Sequence, residues 1–432
     1  MNPSTAPKTE HTFNGLGLAP KLLSILEKLS FTTPTPIQNQ AIPPAIDGKD
    51  VIGVAQTGTG KTLAFGLPIL QRIVAFKGRA LILLPTRELA LQVDETLHKV
   101  GDTLGLRTAI LIGGASMGPQ ISAIKRDPHV VIATPGRLND HLQQKNIRLD
   151  RISMLVLDEA DRMLDMGFWP QVQKIIAAVP KDRQTMLFSA TLSPEIMKLV
   201  TGHMKLPIRI EVAPPGTTVA RVTQEFFIVR KEDKMRLLEK VLTDYSGSTL
   251  VFSRTKHGAK KVMRAVRAMG HSSAEIHGNR SLNQRKEALE GFKNGRYRVL
   301  VATDIASRGI DVKGIELVIN YDLPTESADY VHRIGRTARA GAEGHAISFA
   351  EPAQRREMRD IERLTRRPVP VSQLPANLPP PRALAHVSSF DEDRGNHRRP
   401  HRTFSRASHS AARGRSHASP VRRGGGNWRK RN

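Results

Sequence analysis

The chain contains no cysteine among its 432 residues. Disulfide scaffolds, cysteine-ligated zinc or iron–sulfur sites and catalysis by a thiol are therefore excluded. Aromatic residues make up only 4% of the chain. No apolar run approaches the roughly 20 residues that a membrane-spanning helix needs, and the polar start MNPSTAPKTEHTF lacks the apolar core of a signal peptide. We expect a cytoplasmic protein without a membrane partner.

Acidic residues are also scarce, because 40 Asp and Glu face 66 Lys and Arg and leave a net charge of +26. Such a surplus favours a polyanionic partner such as nucleic acid. Residues 381–432 alone hold 13 Lys and Arg against 3 Asp and Glu. This stretch is rich in Arg, Ser, His and Gly and has no apolar period. It predicts a disordered basic tail, separated from the preceding chain by a Pro-rich joint.

Short runs rich in Val, Ile and Leu alternate with helical patterns in two blocks of the remaining chain. Runs of this kind are typical of strands in parallel sheets that helices cover on both faces. The predicted strands are 51–54, 80–84, 108–112, 130–133, 154–157 and 185–188 in the first block, and 225–229, 249–252, 299–302, 317–320 and 346–349 in the second. The sequence therefore predicts an α/β fold with two doubly wound domains and a ligand cleft at the strand C-termini.

The run VIGVAQTGTGKTLAF predicts a phosphate-binding loop between a strand and a helix. Small residues allow backbone amides to surround phosphates, Lys61 would meet the β and γ phosphate oxygens of a nucleotide, and the Thr62 hydroxyl would hold Mg²⁺. The general pattern opens with Gly where this chain has Ala55. The alternative is an ordinary Gly-containing turn before a helix. The predicted nucleotide-binding loop comprises Ala55, Gln56, Thr57, Gly58, Thr59, Gly60, Lys61 and Thr62.

The run MLVLDEADRML places two carboxylates at the end of an apolar strand. Asp158 is then a partner of Mg²⁺, through water, and Glu159 is positioned to orient and deprotonate the attacking water. The alternative is a solvated acidic strand end. A preceding phosphate loop in the same block favours the catalytic interpretation.

In YVHRIGRTARAG of the second block, Arg333, Arg336 and Arg339 recur every third residue. An isolated triplet of this kind is usually a solvated basic face. The first block offers no arginine finger, however. An arginine supplied across the cleft would neutralise charge on the γ-phosphate and make hydrolysis depend on domain closure.

Taken together, these motifs and their order resemble those of the DEAD-box RNA helicases, with the Asp-Glu-Ala-Asp run at residues 158–161. The basic tail and layout resemble the bacterial RhlE-type group. The resemblance implies two tandem RecA-like domains plus the disordered basic C-terminal tail. The expected boundaries are a disordered N-terminus at 1–12, a first domain at 13–212, a linker at 213–222, a second domain at 223–366, and the joint and tail at 367–432.

The resemblance also implies how the nucleotide is bound. The run SFTTPTPIQ resembles the motif that recognises adenine, with Gln38 bonding the adenine edge and Phe13 stacking on the ring, although a core anchor is the alternative for Phe13. Ser30 stands where the family usually has Gly. Asp311 resembles the ribose contact. Arg336 and Arg339 match the finger positions, which gives the implied catalytic set Glu159, Lys61, Arg336 and Arg339.

Other motifs imply coupling and RNA contacts. Ser189 and Thr191 of the run SAT would couple the ATP site to RNA through hydrogen bonds with Asp161, and His332 would link the second domain to that site. Without the resemblance, SAT would be interpreted as a helix cap, and the glycine pair and the TPGR run as turns. The implied RNA contacts are Pro85, Thr86, Arg87, Gly113, Gly114, Thr134, Pro135, Gly136 and Arg137 in the first domain, and Ser253, Arg254, Arg285, Thr303 and Arg308 in the second.

The implied function is ATP-dependent separation of short RNA duplexes, with ATP and Mg²⁺ as ligands and little sequence preference. Expected partners are RNA and, by family analogy, ribosomal precursor or degradation-complex RNPs. Two alternatives stay open: an ATP-gated RNA clamp or annealing chaperone, and a DNA helicase. The family's Gln is replaced by Leu282, which predicts weaker RNA binding near that position. The tail is expected to tether RNA, with a solubility tail as the alternative.

Overall fold

The computed structural model describes residues 12–56, 58–76, 78–212, 222–307, 312, 314–338 and 343–380. Within these residues the two predicted blocks form two lobes of one compact unit, and each lobe is built on a parallel sheet of seven strands. The predicted fold class, two tandem RecA-like α/β domains, is confirmed.

The first lobe has the strand order β3-β4-β2-β5-β6-β1-β7. Its strands are β1 Val51–Val54, β2 Arg79–Leu83, β3 Thr108–Leu111, β4 Val130–Ala133, β5 Ile152–Asp158, β6 Gln184–Ser189 and β7 Ile208–Glu211. Its helices are α1 Pro20–Lys28, α2 Pro36–Ile46, α3 Lys61–Phe76, α4 Arg87–Gly101, α5 Met117–Lys125, α6 Pro135–Gln143, α7 Ala160–Asp165, α8 Trp169–Ala178 and α9 Pro194–His203.

The second lobe repeats this architecture with the order β10-β11-β9-β12-β13-β8-β14. Its strands are β8 Val222–Ile228, β9 Thr249–Phe252, β10 Ser273–Ile276, β11 Val299–Ala302, β12 Leu317–Asn320, β13 Gly344–Ala350 and β14 Val371–Ser372. Its helices are α10 Lys234–Asp244, α11 Lys256–Ala268, α12 Leu282–Lys293, α13 Asp304–Ser307, α14 Ser327–Ile334 and α15 Arg355–Thr365.

Central strands are buried along their whole length, as the continuous apolar runs predict. Every residue of β4, β9, β11 and β12 is buried, because helices pack on both faces of each sheet. Among the described residues, none of the helices is both long enough and apolar enough to cross a bilayer.

Three strands were not predicted from the sequence, and all three lie at sheet edges: β7, β10 and β14. Edge strands pair on one side only and need no continuous apolar run. Strand β7 has three exposed residues of four, and β14 is only two residues long. The apolar-run criterion therefore identified the sheet interiors and missed these edges.

The Pro-rich segment after residue 366 was expected to be a joint outside the second domain. Strand β14 instead pairs in parallel with β8, with Val371 opposite Phe226. Arg236 of α10 donates to the carbonyl oxygens of Leu378 and Pro379. This segment is therefore held on the second lobe as far as Pro379. The N-terminal segment 1–11, residues 213–221 of the expected linker and the tail 381–432 lie outside the described residues.

Candidate functional site

The ends of three neighbouring strands place the predicted nucleotide-binding groups together. Strand β6 pairs in parallel with both β1 and β5, and its last residue, Ser189, lies opposite Val54 of β1. The carboxyl ends of parallel strands meet at one edge of a sheet, which is where such folds bind ligands. The phosphate loop, the acidic pair and the SAT run therefore share one edge of the first sheet.

The predicted phosphate loop leaves β1 and enters α3 at Lys61. Gly58 and Gly60 have φ values of +87° and +88°, a region that only glycine adopts without strain. A Cβ at Gly60 would also lie 2.5 Å from Nε2 of Gln38. The Thr59 hydroxyl donates to the carbonyl oxygen of Gln56 at 2.8 Å. Thr62 lies in the first turn of α3, Ala55 is buried, and Thr57 falls outside the described residues.

Lys61 and Asp158 form a buried pair at the base of this loop. The Lys61 Nζ lies 3.7 Å from Asp158 Oδ1 and donates to the carbonyl oxygen of Ala55 at 3.1 Å. Burial raises the pKa of Asp158 to about 6, with the neighbouring Glu159 carboxylate adding to the rise and the Lys61 charge opposing it. Burial thus makes the Asp158 carboxylate costly to ionise, and a bound cation would offset that cost.

Glu159 has a left-handed backbone conformation, with φ at +55° and ψ at +50°. Such a conformation is strained for a residue with a Cβ and is often found at functional sites. Its carboxylate Oε2 accepts a 2.9 Å hydrogen bond from Nη1 of Arg162, which is only 1% exposed. None of the sequence motifs assigns a role to Arg162.

Gln38 connects the run SFTTPTPIQ to the phosphate loop. Its Oε1 accepts from the backbone N–H of Thr35, and its Nε2 donates to the carbonyl oxygen of Gly60 at 3.0 Å. Phe13 is buried in the hydrophobic core of the first lobe, which is the packing that the core-anchor alternative predicts. Its stacking on adenine stays a prediction.

Asp161 joins the acidic run to the SAT run. Its Oδ2 accepts hydrogen bonds of 3.0 Å from the backbone N–H groups of Ala190 and Thr191, and the Thr191 hydroxyl donates to it at 3.3 Å. The Ser189 hydroxyl accepts from the Asp161 N–H. The hydrogen bonds that the resemblance implies between Asp161 and SAT are therefore present.

The second lobe reaches this site through α14. His332 Nδ1 lies 3.2 Å from Nη2 of Arg162, and Arg336 donates from Nε to the carbonyl oxygen of His332. Arg336 is buried, so this segment is not a solvated basic face. Arg333 has a structural role instead, since its Nη2 pairs with Asp304 at 2.7 Å. Arg339 and Asp311 lie outside the described residues.

The predicted RNA contacts of the first lobe gather around the glycine pair. Arg87 lies against it, because a Cβ at Gly114 would be 2.0 Å from the Arg87 Nη1. Arg137 donates from Nη1 to the carbonyl oxygen of Ala115, the residue after Gly114, at 2.9 Å. Pro85 and Thr86 lead into α4, whose first turn Thr86 caps, while Thr134 and Pro135 begin α6, with Gly136 in its first turn.

Three of the predicted RNA contacts of the second lobe, Ser253, Arg254 and Thr303, follow the carboxyl ends of β9 and β11. The Ser253 hydroxyl and the Arg254 N–H both donate to Oδ2 of Asp322, which fixes the loop after β9. Thr303 follows β11 and donates from its N–H to the carbonyl oxygen of Ile276. Arg308 lies outside the described residues.

Arg285 contacts the first lobe. Its Nη2 lies 2.8 Å from Oε2 of Glu88 in α4, and both side chains are buried. Leu282, one turn earlier in α12, packs against the hydrophobic core of the first lobe. Burial lowers the pKa of Arg285, Glu88 raises it, and the nearby Arg87 lowers it further. The pairing of Glu88 with Arg285 is not predicted by any of the sequence motifs.

Comparison with known proteins decides the family. The family model of the DEAD/DEAH box helicases matches residues 35–199 of the sequence. The family model of the helicase conserved C-terminal domain matches residues 233–341. The chain belongs to the DEAD-box RNA helicases. It is an ATP-dependent RNA helicase, and the predicted ATP and RNA binding of the family is confirmed.

Relatives of this helicase come from yeasts and bacteria. It is 41% identical over 391 residues to the ATP-dependent rRNA helicase RRP3 of Meyerozyma guilliermondii, covering 89% of this chain and 81% of that protein. It is 42% identical over 359 residues to the DEAD-box ATP-dependent RNA helicase CshA of Bacillus cereus, covering 82% and 68%.

Solved structures resemble this helicase across both lobes. Dbp5 of S. cerevisiae bound to RNA and ADP BeF3 has a TM-score of 0.76 and 31% identity, covering 84% of this chain and 95% of that chain. Mss116p bound to ssRNA and AMP-PNP has a TM-score of 0.78 and 28% identity, covering 87% and 82%.

Proposed function

We propose that this helicase separates short RNA duplexes by local strand separation and hydrolyses ATP at the edge of its first sheet. The observation that supports the proposal most directly is the buried pair of Lys61 and Asp158, 3.7 Å apart, directly before Glu159. A positive charge for phosphate, a carboxylate for a metal and a carboxylate for water thus adjoin one phosphate loop. These are the parts that phosphoryl transfer to water requires.

Different side chains have different roles in the hydrolysis of ATP. The loop amides and Lys61 hold the β and γ phosphates, and Gln38 and Phe13 select adenine. Glu159 orients the attacking water and accepts its proton as the bond between the β–γ bridging oxygen and the γ-phosphorus breaks. Arg336 and Arg339 neutralise the charge that develops on the γ-phosphate, and Asp311 contacts the ribose. The products are ADP and phosphate.

The residues at the loop fit a magnesium ion bound together with ATP. The Thr62 hydroxyl and the Asp158 carboxylate, through water, would hold it, and the ion when bound would neutralise charge on the β and γ phosphates. The described residues contain no group of three or more His, Asp or Glu side chains that could hold a metal alone. A site that relies on phosphate oxygens and water needs no such group.

RNA would lie across both lobes and be held by its backbone. The glycine pair, Arg87 and Arg137 offer amides and guanidinium groups to phosphate, and the loops after β9 and β11 offer N–H groups and hydroxyls. Such contacts position a strand without reading its bases, and contacts to the 2′-OH favour RNA. Helix α6 would bend one strand so that it leaves its partner, and phosphate release would reopen the lobes.

Coupling between the two sites would run through the hydrogen bonds of Asp161. This carboxylate holds the SAT run, with Ser189 and Thr191, next to the acidic pair. His332, on the second lobe, would contact this site when the lobes close. Binding of ATP and RNA together therefore favours the closed arrangement of the lobes.

The RNA substrate and setting are a finer part of the proposal. The relative from Meyerozyma guilliermondii is named an rRNA helicase, and on this basis we place ribosomal precursor RNPs before degradation-complex RNPs as partners. The Pro-rich segment and basic tail support a bacterial protein of the RhlE-type group. A cytoplasmic location is part of the same proposal.

Glu159→Gln tests the proposed catalytic assignment. We expect turnover of ATP to fall at least about 100-fold because the amide cannot accept the proton, while binding of AMP-PNP and of RNA changes little. Release of a short duplex in a strand-displacement assay should fail over repeated turnovers. Glu95→Gln, an exposed carboxylate on α4 of the same lobe, serves as the control. Normal turnover in Glu159→Gln would show that Glu159 is not the base.

A further inference from the structure

Arg162 connects the two lobes of this helicase at the proposed catalytic carboxylate. It follows the Asp-Glu-Ala-Asp run directly and lies in α7, with its side chain almost completely buried. Nη1 donates to Oε2 of Glu159 at 2.9 Å, while Nη2 lies 3.2 Å from Nδ1 of His332 in the second lobe. One guanidinium group thus touches the proposed base and a side chain that is 170 residues away.

The chemistry of the pair fixes which atom carries the proton. A guanidinium group can donate hydrogen bonds but cannot accept them. Nδ1 of His332 is therefore the acceptor, and a neutral imidazole carries its proton on Nε2. The guanidinium is also planar and rigid, so two partners on separate nitrogens fix both its position and its plane. Glu159 and His332 are such partners.

The contact with Arg162 restricts the orientation of the Glu159 carboxylate. Its backbone is already fixed, because the Glu159 N–H donates to Oδ1 of Asp158 at 2.9 Å and its carbonyl oxygen accepts from Met163. Its side chain still has three rotatable bonds. The contact with Arg162 restrains the carboxylate, and Arg162 is in turn restrained when His332 is in place.

We propose that Arg162 is a positioning residue that orients Glu159 toward the attacking water in response to lobe closure. The inference rests on the proposed function, in which Glu159 is the base. When the lobes separate, His332 withdraws and Arg162 loses a contact that helps to fix its plane. Closure restores that contact and aligns the carboxylate, so hydrolysis follows closure without any change in how ATP is bound.

The same segment of the second lobe carries a proposed arginine finger. Arg336 donates from Nε to the carbonyl oxygen of His332 at 3.3 Å, so the two residues are joined through the last turn of α14 and the residues after it. One movement of this segment thus brings Arg336 toward the phosphate and His332 toward Arg162. Closure therefore places the positive charge of Arg336 near the γ-phosphate and orients Glu159 at the same time.

Arg162→Met tests the proposal. Met keeps much of the length of the side chain but lacks the guanidinium group that donates to Glu159 and His332. We expect the RNA-saturated kcat to fall about 10-fold or more, because a misaligned base loses much of its effect. The KM for ATP and the RNA affinity with AMP-PNP bound should stay within about 3-fold, because Arg162 contacts neither ligand in this account. Arg162→Lys should recover part of the kcat, since an ammonium group can pair with Glu159. Arg148→Met, which removes an exposed arginine of the same lobe, is the matched control.

The RNA affinity in the AMP-PNP state also shows whether the variant is folded and closes. If that affinity falls in parallel with kcat, Arg162 acts in folding or closure, and the proposal is wrong. If kcat is unchanged, the carboxylate needs no orienting group, and the proposal is equally wrong. His332→Gln, whose amide oxygen can accept from Arg162, should keep more kcat than His332→Leu. Equal losses in these two variants would contradict the connection to His332.

A second comparison separates failure of this inference from failure of the proposed function. In the Glu159→Gln background, adding Arg162→Met should lower the residual kcat by less than about 2-fold, because the group that Arg162 orients no longer acts as a base. If Glu159→Gln turns over ATP normally, the proposed function itself fails. If Glu159→Gln is inactive while Arg162→Met is fully active, only the inference about Arg162 fails.

Discussion

Arg285 of the second lobe lies 2.8 Å from Glu88 of the first, and both side chains are buried. The two residues lie in the first turns of helices from different lobes, α12 and α4. Their contact therefore exists only while the lobes are close together. Arg285 was predicted to contact RNA. Its contact with Glu88 indicates a second role, which is to hold the closed lobes together.

Glu88→Gln distinguishes these two roles. If the pair holds the lobes together, the variant should weaken RNA binding with AMP-PNP by about 10-fold or more, since loss of one partner leaves a buried charge unpaired. If Arg285 mainly binds phosphate, removal of a nearby negative charge should strengthen RNA binding. We expect the first result in a fluorescence-anisotropy titration. Lys286→Ala, which removes an exposed cation next to Arg285, controls for general charge effects.

Gly114→Ala should weaken RNA binding about 10-fold through displacement of Arg87. The residue has φ at +74°, and the new Cβ would lie 2.0 Å from the Arg87 Nη1. Gly113→Ala is the matched control, because a Cβ there would lie 3.5 Å from Arg87 in ordinary contact. The affinity of both variants for AMP-PNP without RNA should equal that of the wild type. Equal RNA affinities of the two variants would contradict the role given to this loop.

Ser30→Gly should stabilise the first lobe. Ser30 lies between α1 and α2 with φ at +60°, a left-handed conformation that glycine adopts more readily than serine. Relief of this strain is worth about 1 kcal/mol, partly offset by the greater freedom of glycine in the unfolded chain. The melting temperature of the first lobe should rise by up to about 2–4 °C in a thermal unfolding scan. Ser30→Ala keeps a Cβ and should bring no gain; a gain there would point to the hydroxyl rather than the backbone.

Deletion of residues 381–432 should weaken RNA affinity and flatten its salt dependence. The segment carries a net charge of +10, from 13 Lys and Arg against 3 Asp and Glu. Each phosphate neutralised by the tail adds to the slope of log affinity against log salt. ATP turnover at saturating RNA should persist, since the tail contains none of the proposed catalytic groups. An unchanged salt slope would identify the segment as a solubility tail.

The sequence predicted the sheet interiors well because their physical signal is local. Central strands are buried on both faces and therefore read as continuous apolar runs. Strand β7 alternates Ile208 and Ile210 with two charged residues, and β10 contains Ser273 and Glu275, so neither shows such a run. The position of an edge strand depends on pairing with a distant neighbour, which a short window cannot report.

The same distinction applies to the site. Lys61 and Asp158 could be assigned because each lies inside a short motif whose spacing encodes its place at a strand end. Arg162 and Glu88 were missed because their significance lies in contacts with the other lobe, with His332 and Arg285. A charged residue next to a motif is usually solvated. Only the structure shows that these two are buried and paired.

The most direct test of the central claim is the rate of ATP hydrolysis with single-stranded RNA, with single-stranded DNA of equal length, and with neither. We predict that RNA stimulates hydrolysis strongly and that DNA does not, because closure of the lobes completes the site and contacts to the 2′-OH favour RNA. Equal stimulation by both polymers would contradict the account and support a DNA helicase. Hydrolysis that no polymer stimulates would show that closure on a nucleic acid strand does not control the chemistry.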